Sequence, residues 1–529
     1  MERWVGKIVV VTGASAGIGA AIVKDLVSNG MNVVGVARRV ERVQELESSL
    51  SGAKGKLYPL KGDITKEEDV EKIFDWIHQK LGTLHVLVNN AGLARNVPMT
   101  GGADNAAMRL IFETNVFGLF MCTNAALNLM KKTGKWVYFL IFGPLKPLKW
   151  KEESDHTTSV EKLRLGAKCI AGHNVVHFTG GCMYGASKHA VRVMTEGLRR
   201  ELAEENSQIR VTSVSPGFVR TEILEACGRK DLEELLATAP ILDAKEIARA
   251  VTYALSVPTN VQFLVRSYGT VGGENRRGDR SQFWDRSCDS QGFGFQWNEC
   301  GGRGQKSGES AAVIPSIPRL FELESSLSGA KGKLYPLKGD VTKEEDVKKI
   351  FDYVRQEFGV VHVLVNNAGL SRRVPMTGGA DNAAMRLIFE TNVFGLFMCT
   401  NAAMDLMKET GVNDGHIIHI NSIAGHKIIP LTGGCIYGAS KHAVTVMTDG
   451  LRRELAEANS KIRVTSVSPG LVRTELLEAS GRKDLQEFIA KGAPILDDKD
   501  ISRSVIYALS VPPNVQIHDI MVKPVGERL

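Results

Sequence analysis

The chain has 529 residues, of which 43% are hydrophobic and 24% charged, with a net charge of +7. That length holds two to four domains with buried cores, and so small a net charge, with both signs interspersed, argues against a nucleic-acid partner. Eight cysteines without a CxxC pair carry no metal or redox signature; those in apolar runs, such as Cys122 in GLFMCTNAA, read as buried, reduced thiols.

The N-terminal MERWVGKIVVVTG runs straight into a strand pattern, without the apolar stretch and cleavage site of a signal peptide. The most apolar segment, WVYFLIFG (136–143), is far shorter than the ~20 residues of a membrane span. No membrane span is expected, and the expected location is the cytoplasm. KIVVVTG is a short β-branched run ending in a turn. AGIGAAIVKDLVSNG switches to helical spacing and stops at Gly30, a residue suited to the position after a helix. MNVVGVARR is a second buried strand. KLYPLKGD, LHVLVNNAG, HIIHINS and IRVTSVSPG are further apolar runs between helical stretches. Apolar strands alternating with helices predict an α/β fold with a doubly wound parallel sheet covered on both faces.

The pattern occurs twice. LESSLSGAKGKLYPLKGD stands at 46–63 and 323–340, and VPMTGGADNAAMRLIFETNVFGLFMCTNAA at 97–126 and 374–403. Near-identity on this scale indicates a tandem duplication of one domain. The expected organisation is a unit over 1–262 with an unlike insertion at 135–168, a Gly-, Ser- and Arg-rich linker over 263–318, and a truncated second unit over 319–529. The second unit has no counterpart of residues 7–39. Residues 1–134 joined to 412–529 would also make one entire unit. Two pairings are therefore open: a composite sheet, or local pairing of each unit with itself. Loop closure favours the local one by only about 2 kcal/mol.

Several residues carry chemistry. TGASAGIG (12–19) follows a strand and opens a helix, so Gly13, Gly17 and Gly19 let the backbone turn tightly and approach a pyrophosphate. The second strand ends in Ala37, Arg38 and Arg39, where an NAD-selective site tends to carry a carboxylate. Arginine pairs well with phosphate, which predicts NADP(H). Tyr184 and Lys188 in YGASK, like Tyr437 and Lys441, stand at i and i+4 on one helix face. An ammonium beside a phenol favours phenolate, so such a Tyr exchanges a proton with a carbinol oxygen. His85 and His362 sit in apolar strands and read as hydrogen-bonded core residues. WDRSCDSQGFGFQW (284–297) reads as linker rather than a platform for RNA.

TGASAGIG, NNAG (89–92), Asn115, YGASK and SPGFVRTE (215–222), in this order and spacing, resemble the short-chain dehydrogenase/reductase family, and within it the branch of insect farnesol dehydrogenases and family-member-11-like dehydrogenase/reductases. The resemblance implies a Rossmann-type enzyme that moves a hydride between NADP(H) and an alcohol or carbonyl substrate. Tyr184 or Tyr437 would be the general acid/base, Lys188 or Lys441 its tuning cation, and Asn115 or Asn392 the holder of a relay water. Ser422 would orient the substrate. Gly13, Ser15, Gly17, Ile18, Gly19, Arg38, Arg39, Asp63, Ile64, Asn90, Ala91, Gly92, Pro216, Gly217 and Thr221 would line the cofactor. The loop at 222–239 would form a lid suited to a medium-sized apolar alcohol. The family associates through its long helices, which implies an intrachain pseudo-dimer or a homo-oligomer. The first unit departs from the pattern: it has Cys169 where the second has Ser422, and a thiol is a poor substitute for a hydroxyl. Two alternatives stand beside the enzyme: a catalytically impaired NADP(H)-binding or interaction protein, and a mis-joined product of two adjacent dehydrogenase genes.

Overall fold

The computed structural model describes residues 1–102, 104–133, 138–142, 180–217, 219–225, 241–257, 265–267, 332–377, 379, 381–429, 432–480, 487 and 489–527. The first unit builds a seven-stranded parallel sheet. Its strands are β1 (Ile8–Thr12), β2 (Asn32–Ala37), β3 (Lys56–Lys61), β4 (Val86–Asn89), β5 (Tyr138–Phe142), β6 (Arg210–Pro216) and β7 (Val265–Ser267), in the order β3-β2-β1-β4-β5-β6-β7. The order reverses between β1 and β4, which opens a crevice at their carboxyl ends.

Side chains alternate between the two faces of each strand. Val9 and Val11 of β1, with Val86 and Val88 of β4, join the core under helices Gly17–Ser28 and Ala244–Ser256. Val10 and Leu87 point the other way, into a core filled by Phe74 and Ile77, Phe120 and Leu127, and Met194 and Leu198. Burying each such side chain contributes about 1.5–3 kcal/mol.

The second unit has a four-stranded sheet of β8 (Val363–Asn366), β9 (His416–Ile420), β10 (Arg463–Pro469) and β11 (Asp519–Val522), ordered β11-β10-β9-β8. β8 repeats the VLVN of β4 but lies at an edge. Val363 and Val365 are 41% and 40% exposed, where Val86 and Val88 are fully buried. The chain supplies this unit with no counterpart of β1 or of helix Gly17–Ser28. Leu509 on helix Asp498–Ser510 is exposed for the same reason, whereas Leu255 is buried.

One sequence takes two structures. KLYPLK is β3 at Lys56–Lys61, laddered along β2 from Asn32↔Lys56 to Ala37↔Lys61. The same six residues at 333–338 form no strand, because the strand they would pair with is missing. Hydrogen exchange should show it. Amides of 56–61 are expected to be protected and those of 333–338 to exchange far faster, read on peptides that extend to Ile64 or Val341, where the sequences part.

The composite sheet does not form. β4 pairs with β5 (Val86↔Tyr138) and β8 with β9 (Val363↔His416). The apolar YFLIF run inside the unlike insertion supplies the first unit with a local strand, so the long loop closure is unnecessary. β7 also lies beyond residue 262, so the first sheet extends into the segment read as linker.

The units pack through their long helices, Cys182–Glu204 and Cys435–Glu457. Gly197 faces Cys435 and Gly450 faces Cys182, so closely that an added Cβ on either glycine would lie 2.4 Å from the cysteine Cβ; the helices therefore run antiparallel. Phe112 meets Phe389 and Phe394 at 5.8 and 5.4 Å between ring centroids, and Phe117 meets them at 5.5 and 6.4 Å. Arg109 pairs with Glu390 and Arg386 with Glu113. One core cluster thus runs through both units. Segments Asn105–Thr133 and Asn382–Glu409 have the length and composition of membrane spans, but 78% and 83% of their apolar windows are buried, as in the core helices of a packed domain.

Candidate active site

The first unit gathers its predicted cofactor residues at the crevice. β1 ends at Thr12, whose Oγ1 accepts from the backbone N–H groups of Asn90 and Ala91, both at 3.1 Å. Asn90 Nδ2 donates to the carbonyls of Thr12 and Gly13 at 2.9 and 3.3 Å, tying the loop after β1 to the end of β4. Gly13 has φ +69°, and a Cβ on Gly19 would lie 2.1 Å from Gly13 O. Only glycine fits there, so the N-terminus of helix Gly17–Ser28 can approach the loop closely. Ser15 and Ile18 are half-buried in this cradle. Thr221 closes on it, with Cγ2 3.0 Å from where a Cβ on Gly17 would stand. Pro216 ends β6, paired with Ser267, and Gly217 follows it. Asp63 holds Thr65 through its Oδ1, and Ile64 packs under Gly118. Such a glycine cradle, at a helix N-terminus beside a strand-order reversal, fits a dinucleotide.

Arg38 is exposed at the end of β2. Arg39 donates to Glu222 at 2.8 Å and Arg42 donates to the same carboxylate at 2.6 Å, which holds it below the usual carboxylate range. With about half of each side chain in solvent, such pairs contribute less than about 1 kcal/mol, so another anion can compete for Arg39.

Opposite the cradle, Asn115 sits in a π-turn, Glu113–Gly118, between helices Asn105–Phe112 and Leu119–Thr133. Such bulges occur frequently at functional sites. Asn115 Oδ1 accepts from Leu93 N at 2.8 Å, and its Nδ2 donates to Leu93 O and Ser187 Oγ, both at 2.9 Å. Ser187 in turn donates to Tyr184 O at 2.7 Å. Lys188 Nζ lies 5.6 Å from the Tyr184 ring centroid, and burial pushes its ammonium down to about 8. A Cβ on Gly92 would meet Asn115 Oδ1 at 3.4 Å and Lys188 Nζ at 3.6 Å. The NNAG turn, Asn115, Tyr184 and Lys188 are therefore one cluster.

The second unit repeats this cluster. Asn392 holds Leu370 and Ser440. Lys441 Nζ lies 5.9 Å from the Tyr437 ring, donates to Ile420 O at 2.9 Å, and is likewise held at about 8 by burial. Tyr437 is pushed up by burial and drawn back by a hydrogen bond with Ser422, whose Oγ also accepts from Ala424 N at 3.1 Å. Among the described residues no glycine cradle faces this cluster, because β1 and its helix have no counterpart.

A family model for the short chain dehydrogenases matches residues 7–137, 169–232 and 290–485. The chain belongs to the short chain dehydrogenase family. The farnesol dehydrogenase of Aedes aegypti is 45% identical over 213 residues, which are 40% of this chain and 84% of that one. Dehydrogenase/reductase SDR family member 11 of Homo sapiens is 39% identical over 216 residues, 40% of this chain and 82% of that one. A short-chain type dehydrogenase/reductase structure from Mycobacterium marinum is 25% identical, covering 50% of this chain and 94% of that one with a TM-score of 0.41.

As short chain dehydrogenase units the two copies differ where the serine belongs. β5 and β9 share one register, with Tyr138 and His416 each opposite the first valine of the neighbouring strand. In the second unit Ser422 comes two residues after β9. Counted along the sequence, two residues after Phe142 is Pro144, which has no hydroxyl. Cys169 lies outside the described residues. His85 is a core residue that accepts from Ile8 N at 3.1 Å, as expected of it. Its counterpart His362 is exposed instead, because the second unit has no strand to fill the place of β1. Sequence reading missed Glu201 and Glu454, both buried. Their signal was a charged residue on an apolar helix face, Glu201 beside Leu198 and Leu202, repeated in both LRRELAE segments.

Proposed function

We propose that the chain is an NADP(H)-dependent oxidoreductase that interconverts an apolar alcohol and its carbonyl, with the first unit as its working site. The observation that carries this reading is that, among the described residues, only the first unit sets a glycine cradle beside an Asn–Tyr–Lys cluster. Gly13, Gly17 and Gly19, with the helix N-terminus, would hold the pyrophosphate. Asp63 and Ile64 would border the adenine. Asn90, Ala91, Gly92, Pro216, Gly217 and Thr221 would line the nicotinamide half. Arg38 and Arg39 would take a ribose 2′-phosphate, displacing Glu222 from Arg39. The bound nicotinamide supplies the hydride exchange. Tyr184 gives or takes the proton of the carbinol oxygen, Lys188 stabilises its phenolate, and Asn115 fixes the start of their helix through Ser187. A relative named farnesol dehydrogenase and the 222–239 segment, which mixes Leu and Ile with charges, support an apolar alcohol as substrate.

The full chain is expected to oxidise farnesol or simple secondary alcohols with NADP⁺ and to bind NADP⁺ more tightly than NAD⁺. An equal preference would remove the role given to Arg38 and Arg39. The lack of a hydroxyl at the Pro144 position favours a second reading, a unit that binds NADP(H) but turns over slowly or not at all. Binding without oxidation would support it.

A pH dependence follows from Lys188. Its ammonium is present below about pH 8 and lost as the pH rises through that value. Carbonyl reduction leaves a phenolate that needs this cation, so its rate should fall above about pH 8. Lys188→Arg should move that alkaline limb upward, since a guanidinium keeps its proton. A pH–rate profile of both proteins checks it.

A further inference from the structure

The second unit reaches into the first through one buried side chain. Glu454 lies on helix Cys435–Glu457 and is 3% exposed. Its Oε2 accepts from Met99 N at 2.7 Å, Thr100 N at 3.1 Å and Thr100 Oγ1 at 2.9 Å, and its Oε1 accepts from Gly180 N at 3.0 Å. All four donors belong to the first unit. They fall at two places that matter to its site. Met99 and Thr100 end the segment that leaves the NNAG turn past Leu93, the residue Asn115 holds. Gly180, at φ +74°, directly precedes Gly181, the N-cap of the helix that carries Tyr184 and Lys188. Val97 N donates to Gly180 O at 2.9 Å, so the two segments are joined at the point where Glu454 grips them.

We infer that the second unit acts as a built-in partner subunit, and that Glu454 is a positioning residue for the first unit's active site. It sets where the Tyr184 helix begins and how the 93–100 segment faces the cofactor crevice. A carboxylate suits the task because one group satisfies four converging donors: three on the 97–100 segment and one on Gly180. Without it, buried N–H groups lose their acceptor and both segments relax. This account explains what a unit without a cofactor cradle contributes, and it rests on the reading that the first unit is the working site.

The structure contains its own control. Glu201 of the first unit makes the mirrored contact, accepting from Met376 N, Thr377 N, Thr377 Oγ1 and Gly433 N at 2.7, 2.9, 3.1 and 3.1 Å. Glu454→Gln and Glu201→Gln each replace one acceptor oxygen by an NH2 donor facing an N–H, so they weaken equivalent interface contacts but loosen the site segments of different units. In the full chain, Glu454→Gln should lower kcat about tenfold to a hundredfold, the scale of a small misplacement of reacting groups. NADPH affinity, read by fluorescence titration, should hold, since the cradle is untouched. Glu201→Gln should leave kcat within about twofold while shifting the melting temperature by a similar amount, for the interface loss is the same.

Equal falls in both variants, or no fall in Glu454→Gln, would overturn the inference. Tyr184→Phe separates its failure from that of the reading beneath it. Activity that survives Tyr184→Phe and falls only in Glu201→Gln would overturn both. An unchanged Glu454→Gln with Tyr184→Phe inactive would overturn the positioning role alone. Should Glu454→Gln fail to fold, Thr100→Val removes one donor and leaves the carboxylate. It should lower kcat severalfold, and Thr377→Val should not; equal effects of these two would count against the inference in the same way.

Discussion

Tyr184→Phe is expected to abolish NADP(H)-dependent turnover of the full chain, while Tyr437→Phe leaves it within about twofold. The two phenols share the same asparagine and lysine neighbours. Each stands four residues before a buried lysine held at about 8, on a helix whose start is fixed by an asparagine in a π-turn. What separates them lies across the crevice. The Tyr184 cluster is joined through the NNAG turn to the glycine loop, with Gly92 beside Lys188 and Gly13 beside Ala91; in the second unit β8 is the edge strand of the described sheet. A proton donor contributes only where a hydride partner is bound, and its removal there lowers the rate about 10²- to 10⁴-fold. The same assay should be run beside an NADPH titration, where one equivalent per chain is expected. Loss with Tyr437→Phe instead would mean that the second cluster receives a cofactor by a route other than its own unit.

The repeat itself made most of this legible. Alternating apolar strands and helices were enough to give the doubly wound sheet, and the placement of TGASAGIG between strand and helix was enough to give the cradle. The site cluster was readable for the same reason: Tyr and Lys at i and i+4 share a face whatever surrounds them. What the sequence did not disclose depends on neighbours. KLYPLK reads as a strand in both copies, yet it is one only where β2 stands beside it. His85 and His362 both open the run HVLVNNAG, and only the first finds Ile8. YFLIF at 138–142 matches HIIHI at no position, but a place between β4 and β6 asks only for an apolar, extended run, so the strand forms in the register of β9. Glu201 and Glu454 were hidden because a charge on a helix reads as solvated until the partner surface is known.

The same register leads to the second large effect. Because β5 is in step with β9, the first unit lacks its serine through local sequence rather than through a wrong fold. Replacing residues 135–178 of the first unit with residues 412–431 of the second would install β9, Ser422 and the turn that follows, ahead of the TGG shared by both copies. This chimera is expected to raise kcat about tenfold to a hundredfold over the parent chain, with NADPH affinity unchanged. A hydroxyl preorganised toward the developing oxyanion is commonly worth about 10²–10³ in rate, and part of that would be offset by imperfect packing of HIIHI against β4 and β6. His416 and His419 are the residues to watch. In the second unit they are buried on Thr465 and on Thr400 and Thr448, and the first unit offers Thr212, Thr123 and Thr195 at the matching places. The polar partners that β9 needs are thus already present around β5. Changing the transplanted serine to alanine should return kcat to near the parent value. A chimera that binds NADPH normally yet gains nothing would show that the serine is not what limits the first unit, and would move attention to the 222–239 segment, the lid expected from the sequence.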